Sequence, residues 1–171
     1  MYITPSGLDK ASTEAGMVAC VRLEDGVCLT PDLKVSMESE MHRKIYLSRP
    51  DVIAVVHSHP LHASLFSALE EEIDTRLLAE SCCLLGRVAK AAYALMGSRE
   101  LAMNVASCAA EHDCILLENH GALTVGKSML QAYERMEVLE NAARMTLMTL
   151  SAVHARPLCK ERLEEIRRSF S

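Results

Sequence analysis

Long apolar runs, clustered basic charge and aromatic side chains are all scarce in this sequence. Its 171 residues include two phenylalanines, four tyrosines and no tryptophan, and the formal net charge is −5. Proteins that bind nucleic acid present clustered lysine and arginine to the phosphates or aromatic side chains to the bases. Neither feature is present, so we expect no nucleic-acid partner.

The sequence also lacks the features of membrane insertion and secretion. No segment approaches the roughly 20 consecutive apolar residues with which a helix crosses a bilayer. The opening residues, Met1 to Pro5, carry neither the positive charge nor the apolar stretch of a secretory signal. We therefore expect a cytoplasmic protein that does not bind a membrane.

Signatures of disulfide frameworks and of nucleotide binding are missing too. The seven cysteines are an odd number without a C-x-x-C pair, which favours reduced thiols over disulfides or a thiolate metal site. The seven glycines form no G-x-S-x-G elbow, no P-loop and no G-x-G-x-x-G motif. Serine-hydrolase and nucleotide-binding functions therefore have no local support.

What is present suits one α/β domain over residues 1–171, because half of the residues are hydrophobic and the length is that of a usual domain. Asp25-Gly26 predicts a tight hairpin between the runs 17–23 and 27–30. Apolar periodicity predicts strands over 52–56, 88–95, 114–117 and 122–125, and helices after Ser36, after Pro60, over 100–110 and from about 128 to 153. Alternating elements with a hairpin indicate an α/β sheet of mixed strand direction.

The helix after Pro60 is predicted to be amphipathic. Proline fits the first turn of a helix, since its missing N–H has no partner there in any case. Leu61, Leu65 and Leu69 recur at helical spacing, which predicts that these three leucines form the buried stripe. The two histidines before Pro60 are therefore expected at a strand-to-helix junction.

Three histidines are the strongest chemical signal. Residues two apart in a strand point to the same side, so His57 and His59 present their imidazoles together, roughly 7 Å apart at the backbone. An isolated H-x-H motif usually marks a solvated turn, but this one ends a buried strand, where open α/β sheets place their sites. His120 lies in a polar loop between two further strands, followed by Gly121. Three neutral imidazoles with one open position are typical of a catalytic zinc site.

Metal-assisted chemistry also needs a group that moves protons. Glu38, Glu40 and Glu118 are the candidate carboxylates, although a glutamate is more often a solvated surface charge. Sequence spacing alone does not rank the three. The remaining histidines stand singly and are left out of the predicted site: His42, His62, His112 and His154.

Several motifs, taken in order, resemble the class II aldolase/adducin family. They are Ile3-Thr4-Pro5-Ser6-Gly7, Ser36-Met37-Glu38, Ser48-Arg49-Pro50-Asp51, Ala54-Val55-Val56-His57-Ser58-His59-Pro60 and Leu116-Leu117-Glu118-Asn119-His120-Gly121. The resemblance covers nearly the whole chain. The family's N-terminal helix and strand have no counterpart before Ile3, so we expect a chain that lacks them.

The resemblance implies a three-layer α/β sandwich with a central, mostly antiparallel sheet flanked by helices. It implies that His57, His59 and His120 hold one zinc ion per subunit, with another divalent metal as the alternative. It also implies that Glu38 is both an exchangeable metal ligand and the catalytic acid/base, which ranks it above the other two carboxylates.

The resemblance extends to substrate binding. Ser6 and Gly7 match the family's pair that binds the substrate phosphate, and Ser36 matches the first of two serines that precede the glutamate. Met37 replaces the second serine and removes one hydroxyl donor. The implied partner is therefore a small sugar phosphate.

The implied activity is that of a zinc-dependent lyase, which cleaves a sugar phosphate such as a ketose 1-phosphate into dihydroxyacetone phosphate and an aldehyde. A related metal-dependent epimerase, dehydratase or decarboxylase would keep the same histidines. The alternative from another class is a non-catalytic interaction domain like the adducin head. The resemblance also implies a homo-oligomer, usually a tetramer with sites between subunits.

Overall fold

The structure is a computed structural model that describes residues 1–7, 9–150 and 157–170. Within these ranges the strands are β1 Tyr2–Ile3, β2 Ala19–Cys20, β3 Ala54–Ser58, β4 Ala89–Ala91, β5 Cys114–Leu117 and β6 Gly121–Gly126. The helices are α1 Ser39–Ser48, α2 Leu61–Ser67, α3 Ala79–Leu85, α4 Arg99–Ala109, α5 Met129–Leu150 and α6 Lys160–Phe170. Short 3-10 helices form at Lys10–Ser12 and Ala15–Met17.

A four-stranded sheet lies at the centre, in the order β3-β6-β5-β4. The pairings β3–β6 and β6–β5 are antiparallel, whereas β4 runs parallel to β5. Parallel neighbours need a crossover connection, which here includes the helix α4. The mixed, mostly antiparallel sheet confirms the prediction.

Helices cover both faces of the sheet and make three layers. Alternate residues of β5 point to opposite faces: Ile115 packs with α1 and α4, whereas Leu116 packs with α2, α3 and α5. Both residues are buried, which explains why β5 reads as an unbroken apolar run. The three-layer α/β sandwich is thus confirmed.

The predicted hairpin near the N-terminus is present, with shorter strands than expected. Gly26 adopts φ 77° at the turn, and Val21 forms an antiparallel bridge with Cys28. Upstream of this bridge, β2 pairs with β1 instead. Ile3, Ala19 and Val21 form a small separate core at this end of the chain.

The buried stripe predicted for the helix after Pro60 is wrong at two of its three leucines; the third, Leu69, lies just beyond α2 and packs against the core. Leu61 is 76% exposed and Leu65 41% exposed, whereas Ala63 and Phe66 are fully buried. Helical spacing reveals that one face is apolar, but the face that packs depends on the neighbouring layer. The small side chain of Ala63 lets α2 lie close under α5, with the Phe66 ring filling the space between them.

The long predicted helix is present as α5, in which Met136, Leu139 and Ala143 are buried, whereas Leu130 and Tyr133 in its first turns are exposed. The last predicted residues of that helix and His154 lie outside the described residues.

All seven cysteines are free, as predicted. None of the helices in the described ranges is long and apolar enough to cross a membrane.

Candidate metal centre

His57 lies within the strand β3 and faces the layer that contains α1. It pairs with Leu123 of β6 in the antiparallel register, on the same side of the sheet as Val55. Its ring N–H at Nδ1 donates a hydrogen bond to the carbonyl oxygen of Ala122, at 2.9 Å. This bond leaves Nε2 as the atom with a lone pair, and Nε2 is buried without a hydrogen-bond partner.

His59 follows the end of β3 and is the most exposed of the three histidines. Its ring lies against Gly121, where an added β-carbon would stand 2.5 Å from His59 Cδ2 and 2.9 Å from Ser58 O. Real side chains do not tolerate such distances, so only glycine fits at position 121. Gly121 is therefore required because it leaves room for the ring of His59 to pack against the backbone.

His120 sits in the short turn between β5 and β6. Asn119 adopts the left-handed conformation, with φ 54°, and its N–H donates to Ser67 O at 3.1 Å. The N–H of His120 donates to Leu117 O at 3.0 Å, which closes the turn. The side chain of His120 is thereby directed back over the edge of β3, and its Nδ1 is buried without a partner.

The three imidazoles converge. Their ring centroids are 4.9 to 5.1 Å apart, and one ligand atom from each ring lies within 4.8 Å of the others. Tetrahedral zinc with bonds of about 2.0–2.1 Å separates two ligand nitrogens by roughly 3.3 Å, so small ring rotations bring these atoms to one ion. The sequence-predicted trio is thus brought together.

Burial keeps the imidazoles neutral, which is the form that binds a metal. Burial, with a smaller contribution from the neighbouring His120 and His59, lowers the pKa of His57 to about 3, although its hydrogen bond to Ala122 acts in the opposite direction. Burial lowers the pKa of His120 and of His59 as well, and His120 adds to the shift at His59. At neutral pH the three rings therefore offer lone pairs rather than positive charges.

Glu38 is the carboxylate at this cluster. Its Oε1 lies 3.8 Å from His120 Nε2, its Oε2 is buried without a partner, and burial raises its pKa above the ordinary value. A separation of 3.8 Å is too long for a hydrogen bond, and it is about 0.5 Å longer than the roughly 3.3 Å between two ligands of tetrahedral zinc, so a small movement of Glu38 would bring its carboxylate to the ion. Ser36 Oγ accepts the N–H of Glu38 at 3.2 Å and fixes the residue at the start of α1.

The other two candidate carboxylates are engaged elsewhere. Glu40 forms a bidentate pair with Arg43, at 2.7 and 2.9 Å, on α1. Glu118 accepts the N–H of Tyr93 at 2.8 Å and supports the loop that follows β4. Neither pairs with a histidine of the cluster in the part of the chain that the structure describes.

The predicted phosphate-binding residues lie on neighbouring loops. The N–H of Ser6 donates to Lys34 O at 3.0 Å, so the segment with Ser6 and Gly7 runs beside the segment that leads to Ser36. Gly7 adopts φ 76°, and nothing lies within 4 Å of a β-carbon built on it. Both loops therefore meet beside the start of α1, where Glu38 is held.

Sequence reasoning missed two residues beside the cluster. His42 lies one turn after Glu38 on α1; burial lowers its pKa to about 4, and His42 also contributes slightly to the lowered pKa of His57. The positive charge of Lys10 contributes to the lowered pKa of His59, after burial and His120, and to the lowered pKa of His42, after burial. The helical spacing from Glu38 was an available signal for His42, whereas no signal pointed to Lys10.

The residues present fit a divalent metal ion. Buried nitrogens and carboxyl oxygens normally have hydrogen-bond partners, yet His57 Nε2, His120 Nδ1 and Glu38 Oε2 have none among the described residues. A cation held between the three rings would give His57 Nε2 the partner that it lacks. Imidazole nitrogens with a carboxylate oxygen form the donor set of open zinc sites.

Comparison with known proteins points to one family. Residues 1–147 match the family described as Class II Aldolase and Adducin N-terminal domain. An L-fuculose phosphate aldolase of Methanococcus maripaludis is 37% identical over 145 residues, which cover 85% of this chain and 77% of that relative.

Solved structures agree. An L-fuculose 1-phosphate aldolase superposes with a TM-score of 0.88 at 27% identity, covering 99% of this chain and 79% of that one. YgbL of Klebsiella pneumoniae, described as a candidate aldolase/epimerase/decarboxylase, superposes with a TM-score of 0.87 at 28% identity, covering 96% of this chain and 80% of that one.

The fold and the histidine cluster define a three-layer α/β protein in which three imidazoles converge beside a buried carboxylate. The chain belongs to the class II aldolase/adducin family.

Proposed function

We propose that this protein is a metal-dependent lyase that cleaves a sugar phosphate, such as a ketose 1-phosphate, into dihydroxyacetone phosphate and an aldehyde. The single observation that carries the proposal is the convergence of three neutral imidazoles, with the carboxylate of Glu38 3.8 Å from one of them. The similarity to L-fuculose phosphate aldolases supports the substrate class. Zinc is the proposed ion, and another divalent metal is the alternative.

In this proposal His57, His59 and His120 hold the ion. When bound, the ion supplies Lewis acidity that stabilises negative charge on the substrate oxygen beside the bond that breaks. His57 is oriented for this role by Ala122, because a ring that donates through Nδ1 presents Nε2 to the metal. His120 is oriented by the hydrogen-bonded turn between β5 and β6.

Glu38 moves the proton. Its carboxylate takes the proton of the substrate hydroxyl next to the scissile bond, whose carbon becomes the aldehyde carbonyl. The electron pair of the broken carbon–carbon bond remains on the carbon of the phosphate-bearing fragment, and Glu38 returns the proton to that carbon. A carboxyl group whose pKa is raised by burial both accepts and donates a proton more readily near neutral pH.

Ser6, Gly7 and Ser36 are proposed to bind the substrate phosphate. The N–H of Ser6 is already bonded to Lys34, so the Ser6 hydroxyl and the Gly7 N–H are the donors we assign. Open space above Gly7 supports this assignment, because a phosphate can approach the backbone there.

The protein is further proposed to act as a homotetramer. The exposed side chains of Leu61 and Leu65 on α2 support this proposal, because contact with another subunit would bury them.

A related epimerase, dehydratase or decarboxylase is the second candidate. The similarity to YgbL favours keeping it, since that protein is described with more than one activity. The histidines and Glu38 serve all these reactions, so product analysis separates them.

The test is incubation of the zinc-loaded protein with a panel of ketose 1-phosphates, with dihydroxyacetone phosphate detected enzymatically. Release of this product from at least one substrate supports the lyase. Bound zinc with an epimerised, dehydrated or decarboxylated product instead supports the second candidate. A folded protein that binds no metal supports the non-catalytic interaction domain and overturns the proposal.

A further inference from the structure

A carboxylate outside the histidine cluster holds the start of α2. Glu140 lies in the middle of α5, which packs across α2. Its two oxygens accept the N–H of His62 at 3.0 Å each, and Oε2 accepts the N–H of Ala63 at 2.8 Å. The ring N–H of His62 at Nδ1 donates to Oε1 at 2.7 Å.

The start of α2 needs such a partner. The first N–H groups of a helix have no acceptor within the helix, and a side-chain oxygen at the N-cap usually accepts one. Here the N-cap is Pro60, which makes no side-chain capping bond. Glu140 supplies the missing acceptor from another helix, and its negative charge is favourable at a helix N-terminus.

The carboxylate of Glu140 is charged at neutral pH. Burial raises its pKa, but the hydrogen bonds from His62 and Ala63 outweigh burial and lower the pKa overall. Hydrogen bonds to an ionised carboxylate are stronger than those between neutral groups. The contact is therefore a firm attachment of α2 to α5.

His59 is the cluster residue that depends on this attachment. His57 is fixed by strand pairing, and His120 by the turn between β5 and β6. His59 lies beyond the end of β3 and one residue before Pro60, with Gly121 closing against one side of its ring. The position of His59 in the structure is consequently set by the position of the first turn of α2.

We propose that Glu140 is a positioning residue for the metal centre, which holds His59 in place by clamping the first turn of α2 onto α5. This inference rests on the proposed metal site, and it deepens that proposal by adding a determinant of metal affinity. Glu140 bonds His62 and Ala63 and none of the three histidines of the cluster among the described residues, so its effect reaches the cluster through the start of α2, where His59 is the nearest of the three. His62, which sequence reasoning left aside, is the side-chain half of the clamp.

The experiment measures zinc affinity of the full chain by competition with a chromophoric chelator. Glu140→Gln retains one carbonyl acceptor but loses the charge and one acceptor oxygen, and we expect zinc to bind ten- to a hundredfold more weakly. His62→Ala keeps both backbone bonds, so a loss of only a fewfold is expected. Glu137→Gln is the matched control, because Glu137 lies one turn away on α5 and bonds only Tyr133 among the described residues.

A cycle with His59→Ala separates positioning from general destabilisation. If Glu140 acts through His59, Glu140→Gln causes no further loss of zinc affinity in the His59→Ala background. The absorption spectrum of bound Co²⁺ gives a second measure, since it reports the ligand geometry: we expect it to change in Glu140→Gln and to stay unchanged in Glu137→Gln.

Three results would overturn a proposal. Unchanged zinc affinity and an unchanged Co²⁺ spectrum in Glu140→Gln overturn the clamp while the metal site stands. An equal further loss of affinity in the His59→Ala background also overturns it. Absence of zinc binding by the unaltered protein overturns the proposed metal centre and, with it, this role of Glu140.

Discussion

Gly121 and His59 are in direct contact, and the imidazole of His59 occupies the space in which any side chain at position 121 would lie. We predict that Gly121→Ala weakens zinc binding at least tenfold, because the β-carbon would push the His59 ring out of the cluster. The strain of overpacking should also cost about 1–3 kcal/mol of unfolding free energy. Chelator competition and urea unfolding measure the two effects.

The control for that substitution is Gly16→Ala. Gly16 has nothing within 4 Å of a built β-carbon and has no positive φ. Both zinc affinity and stability should remain as in the unaltered protein. Normal zinc binding by Gly121→Ala would show that the His59 ring is not a ligand in its present position.

A second prediction concerns Glu38. Glu38→Gln should retain zinc, because the three imidazoles remain, but turnover should fall by about 10²–10⁴-fold, since an amide cannot carry the proton. Zinc content and release of dihydroxyacetone phosphate are measured on the same preparation. Glu40→Gln is the control, as Glu40 pairs with Arg43 instead. Full turnover by Glu38→Gln would remove the acid/base role.

The pH dependence of stability follows from His57 in the metal-free protein. Its pKa falls from 6.5 to about 3 on folding, so between these values the unfolded chain binds a proton that the folded chain does not. The free energy of unfolding therefore decreases as pH falls through this window, by about 2 kcal/mol between pH 7 and pH 5. Urea unfolding in the presence of a chelator measures it.

In His57→Gln this part of the pH dependence should disappear. The comparison is between the two slopes of unfolding free energy against pH, which cancels contributions from other groups. Parallel slopes for the two proteins would mean that His57 is protonated as easily in the folded state as in the unfolded one.

A fourth prediction concerns stability away from the cluster. Asp113 binds Arg49 at 3.1 Å and Arg135 at 2.7 Å, and these arginines also hold the carbonyls of Ala109 and Val125. Asp113→Asn should lower the unfolding free energy by about 2 kcal/mol, because the partly buried Arg135 loses its carboxylate partner, while Arg49 keeps Asp51. Glu72→Gln is the control, since its pair with Arg87 is highly exposed.

Zinc affinity should be unaffected in both of these variants, because Asp113 lies at the opposite end of β6 from Gly121. A loss of zinc binding in Asp113→Asn would show that the sheet transmits strain from this network to the histidines.

The sequence was informative where periodicity alone decides the structure. The bounds predicted for β5, Cys114 to Leu117, agree with the structure because a strand buried on both faces is an unbroken apolar run. The burial of α2 was predicted wrongly, since the leucine spacing does not reveal which face meets α5.

The site shows the same contrast between local patterns, which the sequence reveals, and long-range packing, which it does not. His57, His59 and His120 were predicted to converge because a motif at a strand end carries local information, and their ligand atoms do lie together. Glu140 was not found, because its contact with His62 joins residues 78 positions apart and exists only through the packing of two helices. Long-range packing leaves no local pattern in the sequence.

The hydrogen bond from His57 to Ala122 joins residues 65 positions apart. On the ribosome, β3 therefore emerges well before β6, and a nascent chain that ends between them contains His57 and His59 but not His120. Displacement of β6 by one residue would turn its side chains to the wrong face of the sheet and separate the trio. Binding of one metal ion by all three rings therefore requires that the central strands have already paired in the correct register.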